Sequence, residues 1–195
     1  MNVAVLYSGG KDSSLIAIIL KKMGFNPKLV NVNFGVFKSY LPAMESAKSL
    51  GFDFSLLELD RDILEKGVDM IIEDKFPNNG IDYIHKEVIK NLSDFEYDII
   101  ADGTRRDDRV PKLTKNEIKS LEDRKNVQYL NLDGFGYKTI DLIVNKFFEF
   151  KKEKSNRENS DYEVEIRYLI DERGFKSSEI FPEHYQTRVI GFKNR

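Results

Sequence analysis

The stretch Ser8-Gly9-Gly10-Lys11-Asp12-Ser13 concentrates groups that bind small anions. Two adjacent glycines can adopt φ > 0 and let backbone N–H groups approach an oxyanion closely. Ser8 and Ser13 add hydroxyl donors, and Lys11 adds a positive charge. An apolar run over residues 2 to 7 precedes the stretch, and a helical pattern begins near Asp12. The positive end of that helix would face the same anion. The spacing is neither G-x-x-x-x-G-K-[ST] nor G-x-G-x-x-G. The plainer reading is a Gly-Gly turn between strand and helix, which calls for neither the serines nor Asp12.

A second cluster, Asp-Gly-Thr-Arg-Arg-Asp-Asp-Arg at 102 to 109, follows the apolar run Tyr-Asp-Ile-Ile-Ala at 97 to 101. Asp107 or Asp108 can hold Mg²⁺ against phosphate oxygens. Arg105, Arg106 or Arg109 can neutralise charge developing on pyrophosphate. The alternative is a solvated charged loop. A third group, His184, Gln186 and Arg188, recurs at period two, so a strand would present all three on one face. That face is either a polar site with a proton acceptor or the wet side of an edge strand. His85 lies near the apolar side of a helical pattern and reads as a half-buried structural residue.

The elements that must position these groups alternate. Leu15, Ile16, Ile19, Leu20 and Met23 mark a helix that Gly24 stops. Strands follow at 28 to 34 and 52 to 59, separated by a helix from Ser39 to Leu50. Asp60 begins another helix, Pro77-Asn78-Asn79-Gly80 breaks it, and a further helix runs to Leu92. Thr114 and Glu117 spell a capping box before a helix reaching about Arg124. Residues 127 to 132 are strand-like, and a helix is expected from about Thr139 to Lys152. Strands alternating with helices imply a mostly parallel sheet covered on both faces. The pattern then changes. A charged linker is expected at 153 to 161, and Val164, Ile166, Tyr168 and Ile170 alternate as strands do, as do Tyr185, Thr187 and Val189. The expected organisation is therefore a unit at 1 to 152, the linker, and a small C-terminal β appendage at 162 to 195.

The order S-G-G-K-D-S after a short N-terminal strand closely resembles the PP-loop motif of the N-type ATP pyrophosphatases, the adenine nucleotide alpha hydrolase-like superfamily. The resemblance covers roughly residues 1 to 145. Gly103, Thr104, Asp107 and Asp108 also match a Gly-[Thr/His]-x-x-Asp-Asp sequence that several members carry. It implies a HUP-like, Rossmann-like α/β fold with a five-stranded sheet. Strand four would lie beside strand one, so the two loops would face each other. It implies ATP on Ser8, Gly9, Gly10, Lys11, Asp12, Ser13, Gly103 and Thr104, and adenine against the backbone of Val32, Asn33 and Phe34. Mg²⁺ would sit on Asp107 and Asp108, with Lys11, Arg105 and Arg106 acting on the phosphates. Members cleave ATP to AMP and pyrophosphate, adenylate an acceptor oxygen, and let a nucleophile displace AMP. The resemblance leaves open the acceptor, a tRNA or a small metabolite, and the nucleophile, ammonia, an amine or external sulfur. It leaves room for a homodimer or a donor partner. An adenine-nucleotide sensor without turnover, or a tRNA-modification subunit needing a partner, would share the motif.

Bulk composition narrows these classes. The 195 residues carry a net charge of −2, which argues against a strongly basic nucleic-acid binder while allowing a local basic patch. There is no cysteine, so disulfides, thiolate zinc sites, cysteine-held clusters and persulfides on this chain are excluded. No apolar run is long enough to span a bilayer, and the first residues read as strand and helix. A soluble cytoplasmic protein is the expectation, with His184, Gln186 and Arg188 of the appendage contributing to acceptor recognition.

Overall fold

The computed structural model describes residues 1–154, 161–181 and 185–193. Five parallel strands form the central sheet in the order β3-β2-β1-β4-β5. They are β1 (Val3–Leu6), β2 (Lys28–Asn33), β3 (Phe54–Glu58), β4 (Ile99–Arg105) and β5 (Gln128–Leu132). β1 is central, pairing Ala4 with Lys28 of β2 and with Ile100 of β4. A strand buried on both faces needs apolar side chains throughout, which is why this one reads as a continuous run. Period two divides it between the layers. Val3, Val5 and Tyr7 pack with α1 (Lys11–Lys22), α2 (Leu41–Ser49) and α6 (Tyr137–Phe147). Ala4 packs on the other face with α4 (Asn78–Leu92) and α5 (Lys115–Lys125).

Local signals account for several element ends. Asp60 caps α3 (Arg61–Asp74), accepting from the Asp62 N–H at 3.0 Å. Thr114 and Glu117 make the capping box that starts α5. α3 and α4 cross where both have glycine. A Cβ on Gly80 would come within 2.3 Å of the Gly67 carbonyl oxygen, so the two backbones touch directly.

Four expectations need correction. Ser39 does not cap α2; the helix begins at Leu41, and Ser39 instead accepts from Asn33 Nδ2 at 2.9 Å. Asn78 to Gly80 belong to the first turn of α4 rather than to a break. The helix expected to reach Lys152 ends at Phe147, where the chain turns into β6 (Phe148–Lys154). The strand expected over Val164–Ile170 is α7 (Tyr162–Glu172). Its buried set is Val164, Glu165, Ile166, Leu169 and Ile170, a helical stripe that includes two positions off the period-two reading. That stripe packs on Leu64, Val68 and Ile71 of α3. The short α8 (Ser177–Ile180) follows, and β7 (Tyr185–Phe192) is a strand as its pattern indicates. β7 pairs antiparallel with β6, Phe150 opposite Val189 and Lys151 opposite Arg188. The small C-terminal pair thus recruits residues 148–154, which the sequence reading assigned to helix and linker. Among the described residues no helix is long and apolar enough to cross a membrane.

Candidate functional site

In a parallel α/β sheet, ligands bind beyond the carboxyl ends of the strands where the strand order reverses. Here β1 and β4 diverge in chain order at that point, and the glycine corner lies between them. Tyr7 anchors the corner: its hydroxyl bonds Ser14 Oγ at 3.1 Å and Ser46 Oγ at 2.7 Å. Gly9 then adopts φ +80°, a conformation few other residues tolerate. Gly10 does not share it. With φ −76° and ψ 167° it is the extended N-cap of α1, and no side chain among the described residues caps that helix. The first-turn N–H groups of α1 therefore carry the helix's positive end outward without a capping acceptor. Ser8 Oγ sits 3.4 Å from Ser13 Oγ at the rim of this cradle.

Packing gives Gly103 a reason to lack a side chain. A Cβ there would lie 2.7 Å from Ser13 N and 2.9 Å from the Asp12 carbonyl carbon. Its absence lets β4 approach the first turn of α1. Thr104 donates to Asp102 Oδ1 from both its N–H (2.8 Å) and its hydroxyl (2.6 Å).

The charged side chains divide. Arg105 bonds Asp108 through Nε and Nη2, at 3.1 and 2.6 Å, and its Nη1 stands 3.6 Å from Asp12 Oδ2. The Asp108 bond raises the Arg105 pKa further. Burial pushes the Asp12 carboxyl up, against the pull of Arg105 and Lys11. Asp12 Oδ1 is buried and accepts no hydrogen bond among the described residues. Lys11 borders the cleft, but its ammonium pairs with Asp141 of α6. Arg106 and Asp107 lie elsewhere. Arg106 is largely exposed, and Asp107 accepts from the Tyr137 N–H at 2.6 Å, holding the start of α6. Arg109 is exposed.

The β2 end is also divided. Val32 lines the cleft. Asn33 turns its amide to Phe37 O, Ser39 and Glu165, and the Phe34 N–H donates to Glu165 Oε2 at 3.1 Å. Glu165, from α7, is fully buried and also accepts from the Val36 N–H at 3.1 Å. Burial raises its pKa, and these backbone donors oppose the rise.

β7 closes the cleft from the other side. The Val189 N–H donates to Gly9 O at 2.9 Å, and Gly10 bridges Arg188. Gln186 Nε2 donates to Asp161 Oδ2 at 2.7 Å, and Arg188 Nη1 to Glu45 Oε2 at 3.2 Å. Both side chains line the cleft with the glycine corner. His184 lies outside the described residues.

The structure adds a group that the sequence reading missed. His85 is buried rather than half-buried and reaches Asp102 Oδ2 through Nε2 and the Tyr162 hydroxyl through Nδ1, each at 3.0 Å. Tyr129 also donates to Asp102 Oδ2. Burial pushes Asp102 up, but the bonds from His85, Thr104 and Tyr129 outweigh it and hold the carboxyl below its usual range. An ionised Asp102 requires the proton on Nε2, so in the neutral ring Nδ1 accepts from Tyr162. Tyr162 is held protonated, its pKa raised by burial and then by Asp161. A signal for the pair did exist: a His on an apolar helix face needs a partner, and Asp102 ends a buried strand. Together these elements enclose about 790 Å³, within the usual range for a ligand of nucleotide size.

Fold and corner define a Rossmann-like α/β protein with a glycine corner at the end of β1 and two carboxylates beside it. The chain belongs to DUF7411, a family of unknown function whose pattern matches residues 1–191. It is 57% identical over 195 residues to an uncharacterized protein of Methanocaldococcus jannaschii, covering 99% of this chain and 97% of that one. A crystal structure from the same organism, described as a predicted subunit of tRNA methyltransferase, superposes with a TM-score of 0.93 at 56% identity. It covers 100% of this chain and 99% of that one. The chain is also 28% identical over 137 residues to the tRNA-5-methyluridine(54) 2-sulfurtransferase of Pyrococcus horikoshii, 68% of this chain but 42% of that protein. The U34-tRNA thiolase NcsA of Methanococcus maripaludis, solved with its [4Fe-4S] cluster, shares the fold at TM-score 0.54 and 21% identity, over 74% of this chain and 56% of that one. At 21% identity the NcsA likeness shows a shared fold alone.

Proposed function

We propose that the chain binds ATP in this cleft and cleaves it to AMP and pyrophosphate to adenylate an acceptor during tRNA modification. The observation that carries the reading is the uncapped start of α1 beneath Gly9, at the carboxyl end of β1. Backbone N–H groups there suit phosphate oxygens. Mg²⁺ fits the residues present. Asp12 Oδ1 is a buried oxygen without a donor among the described residues, and Asp108 is joined to Asp12 through Arg105. Mg²⁺ is commonly held by one or two carboxylates plus substrate phosphates, and it would offset charge on them. Asp107 is committed to α6 and is the poorer ligand of the pair first considered.

The acceptor oxygen attacks the α-phosphorus and the bond to the β-phosphate oxygen breaks. Pyrophosphate leaves, and a nucleophile then displaces AMP. Arg105 and Lys11 would take up the negative charge gathering on the leaving group, each presently held by a carboxylate that phosphate oxygens would replace. Val32 offers the backbone edge for adenine, because Glu165 takes the Phe34 N–H. The names of the similar sulfurtransferase and methyltransferase subunit support tRNA as acceptor. Without cysteine the chain cannot hold a cluster through thiolates, so a sulfur nucleophile would be external. The description of the Methanocaldococcus jannaschii structure as a subunit favours a partner-dependent variant of this reading.

The test is the product of α-labelled ATP incubated with Mg²⁺ and total tRNA. AMP and pyrophosphate support the reading. ADP and phosphate contradict it. Tight binding without turnover, with tRNA and a cell extract present, would favour the nucleotide sensor.

A further inference from the structure

α1 and α6 lie on the same face of the sheet and end away from the glycine corner. Their last turns carry Lys21, Lys22 and Lys146. There they meet the end of β7 around a second cavity of about 450 Å³, to which Ile18, Phe147, Phe192 and Lys193 also contribute. A helix of the length of α1 separates this cavity from the cradle by about 18 Å.

Lysines in a last turn complement a helix dipole, which accounts for each of three separately. It does not account for their convergence with Lys193 around exposed aromatic surface. Phe192 is 43% exposed. It stacks on Phe148 at a centroid distance of 5.8 Å, which fixes one face of the ring. Among the described residues no carboxylate pairs with any of the four lysines. Lys193 donates to Asn145 O at 2.8 Å, and Lys21 lies 4.5 Å from the centre of the Phe52 ring. These contacts orient two of the four ammonium groups without neutralising them. Four lysines with no carboxylate partner among the described residues stand out in a chain of net charge −2.

We infer that this cavity docks single-stranded RNA, with phosphates on the lysines and one unstacked base against Phe192. Cationic side chains beside an aromatic face are the pairing that single strands use. Protein interfaces are depleted in lysine. A second copy would set like charges against each other across a two-fold axis. The inference extends the tRNA part of the reading above and does not depend on ATP being cleaved.

The test is fluorescence anisotropy of a labelled tRNA transcript across a salt series, with MgATP calorimetry on the same proteins. Lys22→Gln with Lys146→Gln should weaken RNA binding at least tenfold and lower the salt slope by about one to two. Phe192→Ala should weaken it roughly tenfold with the slope kept, and an RNA duplex should compete poorly. ATP affinity should not change. The inference is overturned if the wild type has no RNA affinity at low salt, or if both variants retain wild-type affinity and slope. It is also overturned if binding is lost only when the glycine corner is altered. Should the lysine variant fail to fold, Phe192→Ala decides alone. Absent ATP cleavage with these RNA effects intact counts against the enzymatic reading only.

Discussion

The glycine corner and the wall that faces it are built on opposite principles. The corner is local: residues 7 to 14 set its backbone, and its donors are main-chain groups at a helix start. The wall is assembled from distant segments. His85 meets Tyr162, Phe34 meets Glu165, and Gln186 meets Asp161. Local chemistry can be read from a short string of residues. A wall made of long-range pairs becomes visible only once the chain is folded. The first region should therefore fail by losing ligand, and the second by losing stability.

The sharpest way to break that contrast is His85→Leu. It leaves Asp102 buried with only Thr104 and Tyr129 as donors, and the loss should be about 3 kcal/mol by urea denaturation. A change near zero would show that the network does not hold α4, β4 and α7 together. Glu165→Leu comes next. It strands the Phe34 and Val36 N–H groups in the interior and should destabilise by about 2 kcal/mol, while Glu165→Gln, which keeps one acceptor, should lose about half of that. Equal losses in the two variants would mean that packing, not the hydrogen bonds, is what matters there.

Gly103→Ala joins the two regions. Its Cβ would press on the backbone of Asp12 and Ser13, with an expected loss of about 1–2 kcal/mol and weaker ATP binding in calorimetry. Glu117 offers a smaller effect with a defined pH window. Partial burial pushes its carboxyl up, but bonds from Lys86 and from Thr114 outweigh this and lower it to about 2. Because the folded value lies below the unfolded one, this contribution is complete above about 4.5 and fades as pH falls toward 2. Glu117→Gln should flatten the acid limb of a stability profile in that window, by less than about 1 kcal/mol for so exposed a pair. Unchanged acid curvature would remove Glu117 from the account. The smallest effect belongs to Glu45→Ala. Its exposed pair with Arg188 should be worth no more than about 0.5 kcal/mol, so the melting temperature should barely move.

The sequence made the sheet legible because buried parallel strands are continuous apolar runs and their helices show 3.6-residue stripes. It made the corner legible because backbone donors need glycine. It did not reveal α7. Val164, Ile166, Tyr168 and Ile170 happen to alternate, while the helical stripe runs through Glu165, a charged residue buried by its backbone partners. β6 was hidden for the converse reason: its exposed Lys151 and Lys152 lead into a charged stretch that looks like a solvated helix end. The directions of Lys11, Arg106 and Asp107 were illegible as well. Long or paired side chains choose among partners, Asp141 and the start of α6 in these cases, that only tertiary structure brings near.

The most direct test of the central claim is calorimetric titration of MgATP into the wild type and into Gly10→Val. Gly10 has φ −76°, so valine is not strained there, but its side chain would crowd Ser8 and the mouth of the cradle. The account predicts one ATP per chain for the wild type, and at least a tenfold loss of affinity in a variant that melts near the wild-type temperature. Undiminished ATP affinity in the folded variant would contradict it.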